Sequence, residues 1–462
     1  MSEIVLPAQA RRGAWAAEAR ATLALAWPLV LTNLAQIAIA TTDVAILGRL
    51  GPGQLAAGAL GANLFFAFLV FGMGLAMATT PMLAQAFGRG RRVVREARGA
   101  VRQGLWACLA LTLPSWAVLG HAETILLAFG QEPALAQGAA AYLAGFMWGM
   151  LPALWFFVLR SFISALERPR AGLVVTLLAI LLNAAACWGL AFGAFGLPGL
   201  GLFGAGLAGS LANLGLFLGL AGFILVDRRL RRFRLFGRWW RADWPRLAEL
   251  LRIGLPMSLA FGFEVTVFSA AALMVGRFGS DPLAAHAIAL QIASIAFMIP
   301  MGLGQAATVR VGLAAGAGDR DGAGRAGWVA LALASAFMAS SAVLLLLAPG
   351  PLVALFLDES LAGAPRVAEL AALFVGVAGL FQLADGAQAV GAGALRGLRD
   401  ARTPMLIAAF GYWGVGVPLS AALAFGFGLG GLGVWLGLAG GLAVVALLMV
   451  RRWSRRETLA LI

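Results

Sequence analysis

Residues 250–279 read LLRIGLPMSLAFGFEVTVFSAAALMVGRFG, a long apolar run that contains a single carboxylate, Glu264. The run matches an earlier part of the same chain, because a shift of 228 residues places Pro28 on Pro256. The match continues into the next apolar segment, and the same shift places Gln36 on Glu264. Two such copies, each with its own polar residues inside apolar runs, are typical of transporters whose halves are related by pseudo-symmetry.

The composition indicates an integral membrane protein. Hydrophobic residues make up 61% of the 462 residues and charged residues only 12%, whereas soluble proteins have about 25% charged residues. Two cysteines and two histidines are too few for a disulfide framework or a histidine-based metal cluster. The chain also has no phosphate-binding loop or nucleophile motif, so we expect neither an enzyme nor a cofactor.

The apolar runs predict twelve membrane-spanning helices, six in each copy. Each run has at least the roughly 20 residues that a helix needs to cross the hydrocarbon core. The runs lie near residues 21–47, 58–87, 99–120, 138–165, 171–195, 201–226, 249–276, 283–313, 327–357, 367–395, 403–427 and 431–450. The predicted fold class is an all-α integral membrane protein with two pseudo-symmetric six-helix bundles.

The repeat divides the chain into five parts. We predict a cytoplasmic N-terminal segment, an N-lobe, a basic cytoplasmic linker, a C-lobe and a cytoplasmic tail. Their limits are residues 1–20, 21–226, 227–248, 249–450 and 451–462, respectively. The linker is rich in Arg and Trp, which suits the cytoplasmic headgroup layer; a target site for a calmodulin-like regulator is the alternative.

All 34 basic residues are arginines, and their distribution orients the helices. If the N-terminus is inside, 31 of them, Arg160 included, fall in cytoplasmic segments, and only Arg49, Arg277 and Arg366 fall outside. This asymmetry satisfies the positive-inside rule with both termini cytoplasmic, as expected of a multi-pass protein in a bacterial inner membrane. The net charge of +14 then reflects membrane topology, and no nucleic-acid partner is expected.

Three acidic residues lie deep in predicted helices: Asp43, Glu264 and Asp385. An Asp at the centre of a membrane helix costs about 2.5–3.5 kcal/mol on insertion scales. Such groups therefore face a bundle interior or water and are usually functional. A structural hydrogen bond between helices is the alternative, and it is strongest for Asp43, which lies near the outer end of its helix.

Helical spacing places other polar side chains beside these carboxylates. Asn33, Gln36 and Asp43 share one face of the first helix, and Gln382 shares a face of the tenth helix with Asp385. These side chains would be unsatisfied against lipid. We therefore predict that they line a cavity.

Two more pairs are candidates for the same cavity. Gln291 and Met298 lie on a mixed polar and Met stripe of the eighth helix. Phe261 and Phe268 flank Glu264, and two aromatic rings beside a carboxylate suit a flat cationic ligand. Ordinary core packing is the alternative for the Met and Phe side chains.

The motifs together resemble the MATE (multidrug and toxic compound extrusion) family, in particular its NorM-like branch. The matching pieces are TTDVAILGRLG at 41–51, VRVG at 309–312, GALRGLRD at 393–400, Tyr412-Trp413 and GLGVWLGL at 431–438. The resemblance implies two six-helix bundles around a V-shaped cavity that opens to either side in turn. It implies a monomer that moves H⁺ or Na⁺ inward and amphipathic, often cationic drugs outward. Tyr412 joins the cavity-lining candidates.

The resemblance also implies roles for single residues. Glu264 and Asp385 match the acidic pair of the second lobe that is associated with cation coupling and drug binding, and together they would hold Na⁺ if it is the coupling ion. Asp43 matches the first-lobe aspartate linked to coupling, and Asn183 matches its polar partner. Cys187 stands where many relatives have Asn or Asp, which favours the Glu264 and Asp385 side.

Physical chemistry makes these roles reasonable. Burial in the membrane favours the neutral form of a carboxylic acid, so a conformational change that alters its hydration takes up or releases a proton. Alternatively, two nearby carboxylates and other oxygens form a site for Na⁺. Competition between this cation and a cationic drug for the same carboxylates gives antiport. Apart from the drug, the coupling ion is then the only ligand that we expect.

Three other functions remain open. A cation-coupled exporter of one specific metabolite would use the same fold. A flippase of lipid-linked precursors would be expected to have a more cationic cavity than the acidic residues predict. A membrane enzyme or a scaffold without transport activity is the third, but the chain has no His or Cys metal spacing, nucleophile elbow or phosphate loop, and its Gly-rich pieces lie inside predicted helices.

Overall fold

The computed structural model describes residues 8–196, 198–237, 240–357 and 364–462, with side chains for all of these except residues 8–12 and 195. Part of the predicted N-terminal segment, residues 1–7, and two residues of the predicted linker, Arg238 and Trp239, lie outside the described residues. The described ranges contain helices and turns and no strand. The predicted all-helical fold class is confirmed.

The described residues of the first part of the chain form nine α-helices. They are α1 (Ala8–Leu50), α2 (Pro52–Met77), α3 (Thr79–Arg89), α4 (Val93–Leu119), α5 (Ala122–Ala128), α6 (Pro133–Phe146), α7 (Met150–Ala165), α8 (Arg170–Phe192) and α9 (Gly201–Val226). Eight helices follow. They are α10 (Trp244–Gly276), α11 (Ser280–Ala317), α12 (Arg320–Leu347), α13 (Pro349–Ala354), α14 (Ala364–Gly397), α15 (Arg402–Ala408), α16 (Val417–Ala421) and α17 (Gly430–Ser454).

The number of membrane spans agrees with the prediction. Within the described residues, 11 helical stretches are long and apolar enough to cross a membrane. A twelfth results if α4 and α5, which are bent by 61° at a short break, count as one span. Apolar run length alone therefore predicts the number of spans, because a bilayer admits few other solutions.

Two predicted spans differ from the structure in detail. The ninth was predicted to be continuous over 327–357, but α12 ends at Leu347 and α13 begins at Pro349, since a proline cannot donate the next helical hydrogen bond. The eleventh, predicted over 403–427, contains two π-helical stretches, Ala409–Gly416 and Ala422–Gly426. Wide π turns of this kind are frequent at functional sites.

The described chain divides into two compact units. The N unit comprises residues 31–258, and the C unit comprises residues 1–30 together with 259–462. The two division points, after Val30 and after Ser258, are 228 residues apart, so they fall at equivalent places of the repeat. Helices α1 and α10 each contribute residues to both units, whereas the predicted N-lobe ends at residue 226, the last residue of α9.

Close glycine contacts fasten these two helices in an equivalent way. In the N unit, a Cβ on Gly74 would lie 2.3 Å from the backbone nitrogen of Ser258. In the C unit, a Cβ on Gly302 would lie 2.4 Å from Val30 Cγ2 and 3.0 Å from the Val30 nitrogen. Both partners are shifted by 228 residues, so the repeat preserves a contact that needs glycine in both units.

The C unit also has an ion pair between Glu18 and Arg310. Glu18 accepts hydrogen bonds from Nε and Nη2 of Arg310 at 2.8 and 2.6 Å. Thr22 Oγ1 lies 3.5 Å from the same carboxylate. Because the pair joins α1 to α11, it holds the first part of α1 against the C unit.

Helices α11 and α14 pack closely and orient the polar side of α14. A Cβ on Gly393 would lie 2.2 Å from the carbonyl oxygen of Gly304, so the two backbones are almost in contact. Thr308 Oγ1 donates a hydrogen bond of 2.8 Å to the carbonyl oxygen of Gly393. This contact fixes the rotation of α14, and with it the direction of Asp385.

Candidate functional site

The polar side of α14 is almost completely buried. Gln382, Asp385 and Gln388 follow one another at intervals of three residues, and their exposed fractions are 1%, 9% and 5%. Residues spaced in this way lie along one side of a helix. A carboxylate and two amides are therefore stacked within the interior of the C unit.

Gln388 connects Asp385 to Glu264 of α10. Its Nε2 lies 3.5 Å from Glu264 Oε1 and 3.4 Å from Asp385 Oδ1. Both distances are long for hydrogen bonds, which are usually near 2.9 Å. One amide group therefore lies between two carboxylates and holds them together loosely.

Arg396 supplies the positive charge of this cluster. It interacts electrostatically with Glu264, and its guanidinium carbon lies 4.9 Å from the centroid of the Phe261 ring. The ring that was predicted to receive a cationic ligand is thus already covered by a cation of the protein itself. Two ionised carboxylates and one arginine leave one net negative charge.

Two buried groups near the carboxylates have unused polar atoms. Among the described residues, no hydrogen-bond partner is present for Tyr412 Oη or for either polar atom of the Gln382 amide. Tyr412 belongs to the first π-helical stretch and interacts electrostatically with Glu264 and Asp385. A buried polar atom without a partner is costly, so this part of the C unit is suited to a bound ligand or water.

This donor set fits a small monovalent cation. Carboxylate, amide and hydroxyl oxygens are the ligands that hard cations prefer. Within the described residues there is no group of three or more His, Cys, Asp or Glu side chains that would hold a metal ion more strongly. The cluster of Glu264, Asp385, Gln388, Arg396 and Tyr412, which we call the acidic cluster, can therefore accept one proton or one Na⁺.

The N unit contains a separate polar pair at Asp43. Asn183 Nδ2 of α8 donates a hydrogen bond of 2.6 Å to Asp43 Oδ1. Tyr142 and Cys187 interact electrostatically with the same carboxylate. The structure thus brings together the two residues that the family resemblance paired, and Asn183 Oδ1 has no partner among the described residues.

A buried arginine lies elsewhere in the N unit. Arg160 Nη1 donates a hydrogen bond of 3.2 Å to Asn33 Oδ1, and its guanidinium carbon lies 5.1 Å from the centroid of the Phe157 ring. The charge count along the sequence assigned Arg160 to the cytoplasmic arginines, and this assignment stays a prediction because burial within the N unit does not test it. The side chain is 5% exposed inside α7, a burial that a charge count along the chain does not report.

The other predicted cavity residues are less closely connected. Phe268 packs against the hydrophobic core of the C unit. Met298 and Gln36 are half-buried, whereas Gln291 is exposed. No hydrogen bond between described residues joins Gln291 to the acidic cluster, and the roles of Gln36, Gln291 and Met298 stay predictions.

One central residue, Gln388, was not predicted from the sequence. It follows Asp385 by three residues and so lies near the same side of the helix as Gln382 and Asp385. A search for amides three or four residues from an intramembrane carboxylate would have found it. The contact of Arg396 with Phe261 was not predicted either, because it depends on how α10 and α14 pack.

Comparison with known proteins identifies the family. The sequence profile of the MatE family matches residues 28–188 and again residues 256–422. A probable multidrug resistance protein NorM of Mesorhizobium japonicum is 54% identical over 460 residues, which are 100% of this chain and 98% of the relative. The protein of the same name from Brucella suis is 50% identical over 97% of this chain and 95% of the relative.

Solved structures share the fold. A MATE protein crystallised in complex with MaL6 has a TM-score of 0.86 at 20% identity, covering 96% of this chain and 97% of the other. The eukaryotic MATE transporter AtDTX14 has a TM-score of 0.82 at 21% identity, covering 97% of this chain and 100% of the other. The resemblance seen in the sequence motifs is confirmed. Because the profile covers most of the chain and relatives about half identical extend over nearly all of it, this chain belongs to the MatE family.

Proposed function

We propose that this chain is a multidrug exporter that exchanges H⁺ or Na⁺ for amphipathic, often cationic, organic compounds. The names of its relatives from Mesorhizobium and Brucella, probable multidrug resistance proteins, support this class of substrate. Transport by this mechanism needs no chemical conversion and no cofactor other than the coupling ion. The protein acts as a monomer in a bacterial inner membrane, with both termini in the cytoplasm.

The charge of the acidic cluster is the observation that carries the proposal. Glu264 and Asp385 interact with each other, and Arg396 offsets only one of their two charges. One proton, one Na⁺ or one monovalent organic cation neutralises the remainder. A buried site of low dielectric strongly disfavours a net charge, so it holds one of these ligands but not two. That exclusion is the basis of antiport.

The other residues of the acidic cluster have supporting roles in this proposal. Gln388 holds the two carboxylates together through one amide, and its long hydrogen bonds are easily exchanged for a ligand. Tyr412 and Gln382 offer oxygen atoms that have no other use among the described residues. Arg396 on the Phe261 ring occupies the place that a flat organic cation would take, so drug binding displaces the arginine from the ring.

Transport of ethidium, measured as efflux from cells or as uptake into everted vesicles, tests the proposal. A pH gradient and a Na⁺ gradient are imposed separately, and the rate is compared for wild type, Glu264→Gln and Asp385→Asn. We expect one gradient to drive transport and both substitutions to reduce the gradient dependence strongly. Glu123→Gln is the matched control, because Glu123 is an exposed carboxylate in the short helix α5.

Each outcome of this experiment is informative. Full gradient-driven efflux in both variants would refute the role of the acidic cluster. If wild type moves no ethidium under either gradient but exchanges a single metabolite, the protein is a specific exporter on the same fold. Loss of activity in Glu123→Gln as well would indicate a general defect rather than a lost cation site.

A further inference from the structure

The chain between α9 and α10 is folded against the N unit. Leu230, Phe233 and Leu235 are buried, and Phe233 packs with its ring centroid 5.9 Å from that of Phe87 and 5.2 Å from that of Phe162. These three side chains anchor the segment to the ends of the helices. The described part of the segment is therefore packed against the N unit rather than being a free tether.

Hydrogen bonds complete this anchoring. Arg98 Nε donates a hydrogen bond of 2.9 Å to the carbonyl oxygen of Phe233. At the end of α9, Asp227 Oδ1 accepts hydrogen bonds from the backbone N–H groups of Arg229 and Leu230 at 2.8 and 3.1 Å. An aspartate turn of this type directs the chain away from the helix axis, and the following arginines face outward.

The outward side of the segment combines arginine with tryptophan. Its main members are Arg228, Arg231, Arg232, Arg241, Trp240 and Trp244, which we call the linker surface. Trp240 and Trp244 are 80% and 72% exposed. The two aspartates of the segment pair with Arg168 and Arg246, so among the described residues no carboxylate pairs with the arginines of the linker surface.

The location of the linker surface matches the boundary of a membrane. It lies directly between the end of α9 and the beginning of α10, both of which are candidate membrane spans. The last residue of α9, Val226, is 80% exposed and apolar, so the surface that faces lipid extends to the start of the segment. Exposed tryptophans at such a boundary lie at the headgroup level, and arginines there attract anionic lipid.

From these observations we infer that the linker surface binds the anionic headgroups of the phospholipid layer next to it. The arginine side chains bind the lipid phosphate together with the glycerol or second phosphate of the same headgroup. The two indole rings lie among the headgroups. Arginine forms bidentate hydrogen bonds with phosphate, and an anionic headgroup has no cationic group of its own to offset that phosphate, which favours it over a zwitterionic headgroup. The binding fixes the connection between the two copies of the repeat at the membrane surface.

A site-specific fluorophore tests this inference on the full-length protein. Both native cysteines are buried, so Ala242→Cys, between the two tryptophans, can be labelled selectively. The labelled protein is placed in nanodiscs that contain spin-labelled phosphatidylglycerol or spin-labelled phosphatidylcholine at equal mole fraction. We expect phosphatidylglycerol to quench the label several-fold more, and added salt to reduce the difference.

Two triple variants separate the linker surface from general charge. In R228Q/R231Q/R241Q we expect the mole fraction of phosphatidylglycerol needed for half-maximal quenching to rise at least about tenfold, because each arginine near an anionic surface contributes to binding. In R402Q/R451Q/R455Q, which removes three exposed arginines of the C unit, quenching stays as in wild type.

Three results would overturn the inference: equal quenching by both lipids in wild type, no change in the first triple variant, or an equal change in both variants. Competition by soluble glycerol phosphate at the concentration of the lipid headgroup would also overturn it, since it would assign the site to free phosphate. None of these measurements depends on transport, so failure of the exporter proposal would leave them unaffected.

Discussion

The two units share their helix packing but differ in the charge of their buried polar groups. In the C unit, the carboxylates of Glu264 and Asp385 interact with each other, and Arg396 interacts with Glu264. The N unit has the single carboxylate of Asp43 and the buried guanidinium of Arg160 at separate places. The glycine contacts that fasten α1 and α10 are nevertheless equivalent. Duplication has thus preserved the packing of the backbone while the chemistry inside each unit diverged.

The largest difference is expected between the carboxylates of the two units. Asp385→Asn should reduce the ion dependence of efflux by roughly 5- to 150-fold, the range of typical coupling free energies. Asp43→Asn should have a smaller effect, because Asp43 already has a neutral partner in Asn183 and no second carboxylate. Initial efflux rates at several ion gradients measure both effects. Equal losses in the two variants would show that the N unit takes part in coupling to the same degree.

The next largest difference concerns the ion pair of Glu18 with Arg310 in the C unit. Glu18→Gln breaks a pair whose carboxylate is 8% exposed, and we expect a loss of up to about 3 kcal/mol in the free energy of unfolding. The equivalent position of the N unit is Arg246, which pairs with Asp243 at 3.4 Å on a more exposed surface. Arg246→Gln should therefore cost only about 0.2–1 kcal/mol. Thermal unfolding in detergent compares Glu18→Gln with Arg246→Gln. Adding Arg310→Gln, alone and combined with Glu18→Gln, completes a double-mutant cycle for the pair of Glu18 with Arg310.

The glycine contacts allow a sharper comparison between the units. Gly74→Ala and Gly302→Ala should each destabilise by about 1–3 kcal/mol, as overpacking usually does. Gly74→Ala should cost more, because its methyl group meets the Ser258 backbone, whereas that of Gly302→Ala first meets the movable side chain of Val30. Gly222→Ala and Gly262→Ala are controls, since no heavy atom lies within 4 Å of either added Cβ. Because alanine favours a helix more than glycine does, these controls should be neutral or stabilising, and destabilisation in them would contradict the contact explanation.

The smallest effect concerns pH and Asp227. The backbone N–H of Arg229 donates to its carboxylate and holds the pKa of Asp227 below the ordinary value, with smaller contributions from Leu230 and Arg168. A lowered folded pKa contributes stability above the unfolded pKa, near 3.9, and this contribution is lost as the pH falls through the folded value. Unfolding temperatures of wild type and Asp227→Asn should therefore differ at pH 7 and converge below about pH 4. A constant difference across this range would contradict the assignment.

Much of the fold could be predicted from the sequence, for a physical reason. A bilayer allows few ways to satisfy the backbone, so the length of each apolar run predicts a span. The repeat of Pro28 at Pro256 correctly places α1 and α10 at equivalent positions. The break after Leu347 and the π turns near Tyr412 were missed, because both depend on local backbone hydrogen bonds that hydropathy does not report.

The candidate site was only partly predictable. Glu264 and Asp385 were found because an acidic residue in an apolar run is costly to insert, which is a property of the residue itself. That Gln388 lies between them, and that Arg396 covers the Phe261 ring, depends on the rotation of α14 relative to α10. A single sequence contains no measure of that rotation.

The contribution of α1 and α10 to both units has a consequence for biosynthesis. The C unit contains residues 1–30, which leave the ribosome first, and the N unit is complete only when residues up to 258 have been made. The N unit is continuous and the C unit is not, and neither coincides with one copy of the repeat. In a chain cut in the linker, the first fragment therefore lacks the part of α10 that belongs to the N unit, and the second lacks the part of α1 that belongs to the C unit. Such fragments would need to be produced together, each supplying the half-helix that the other lacks. The ancestral single copy would therefore have needed a second copy to complete its own fold.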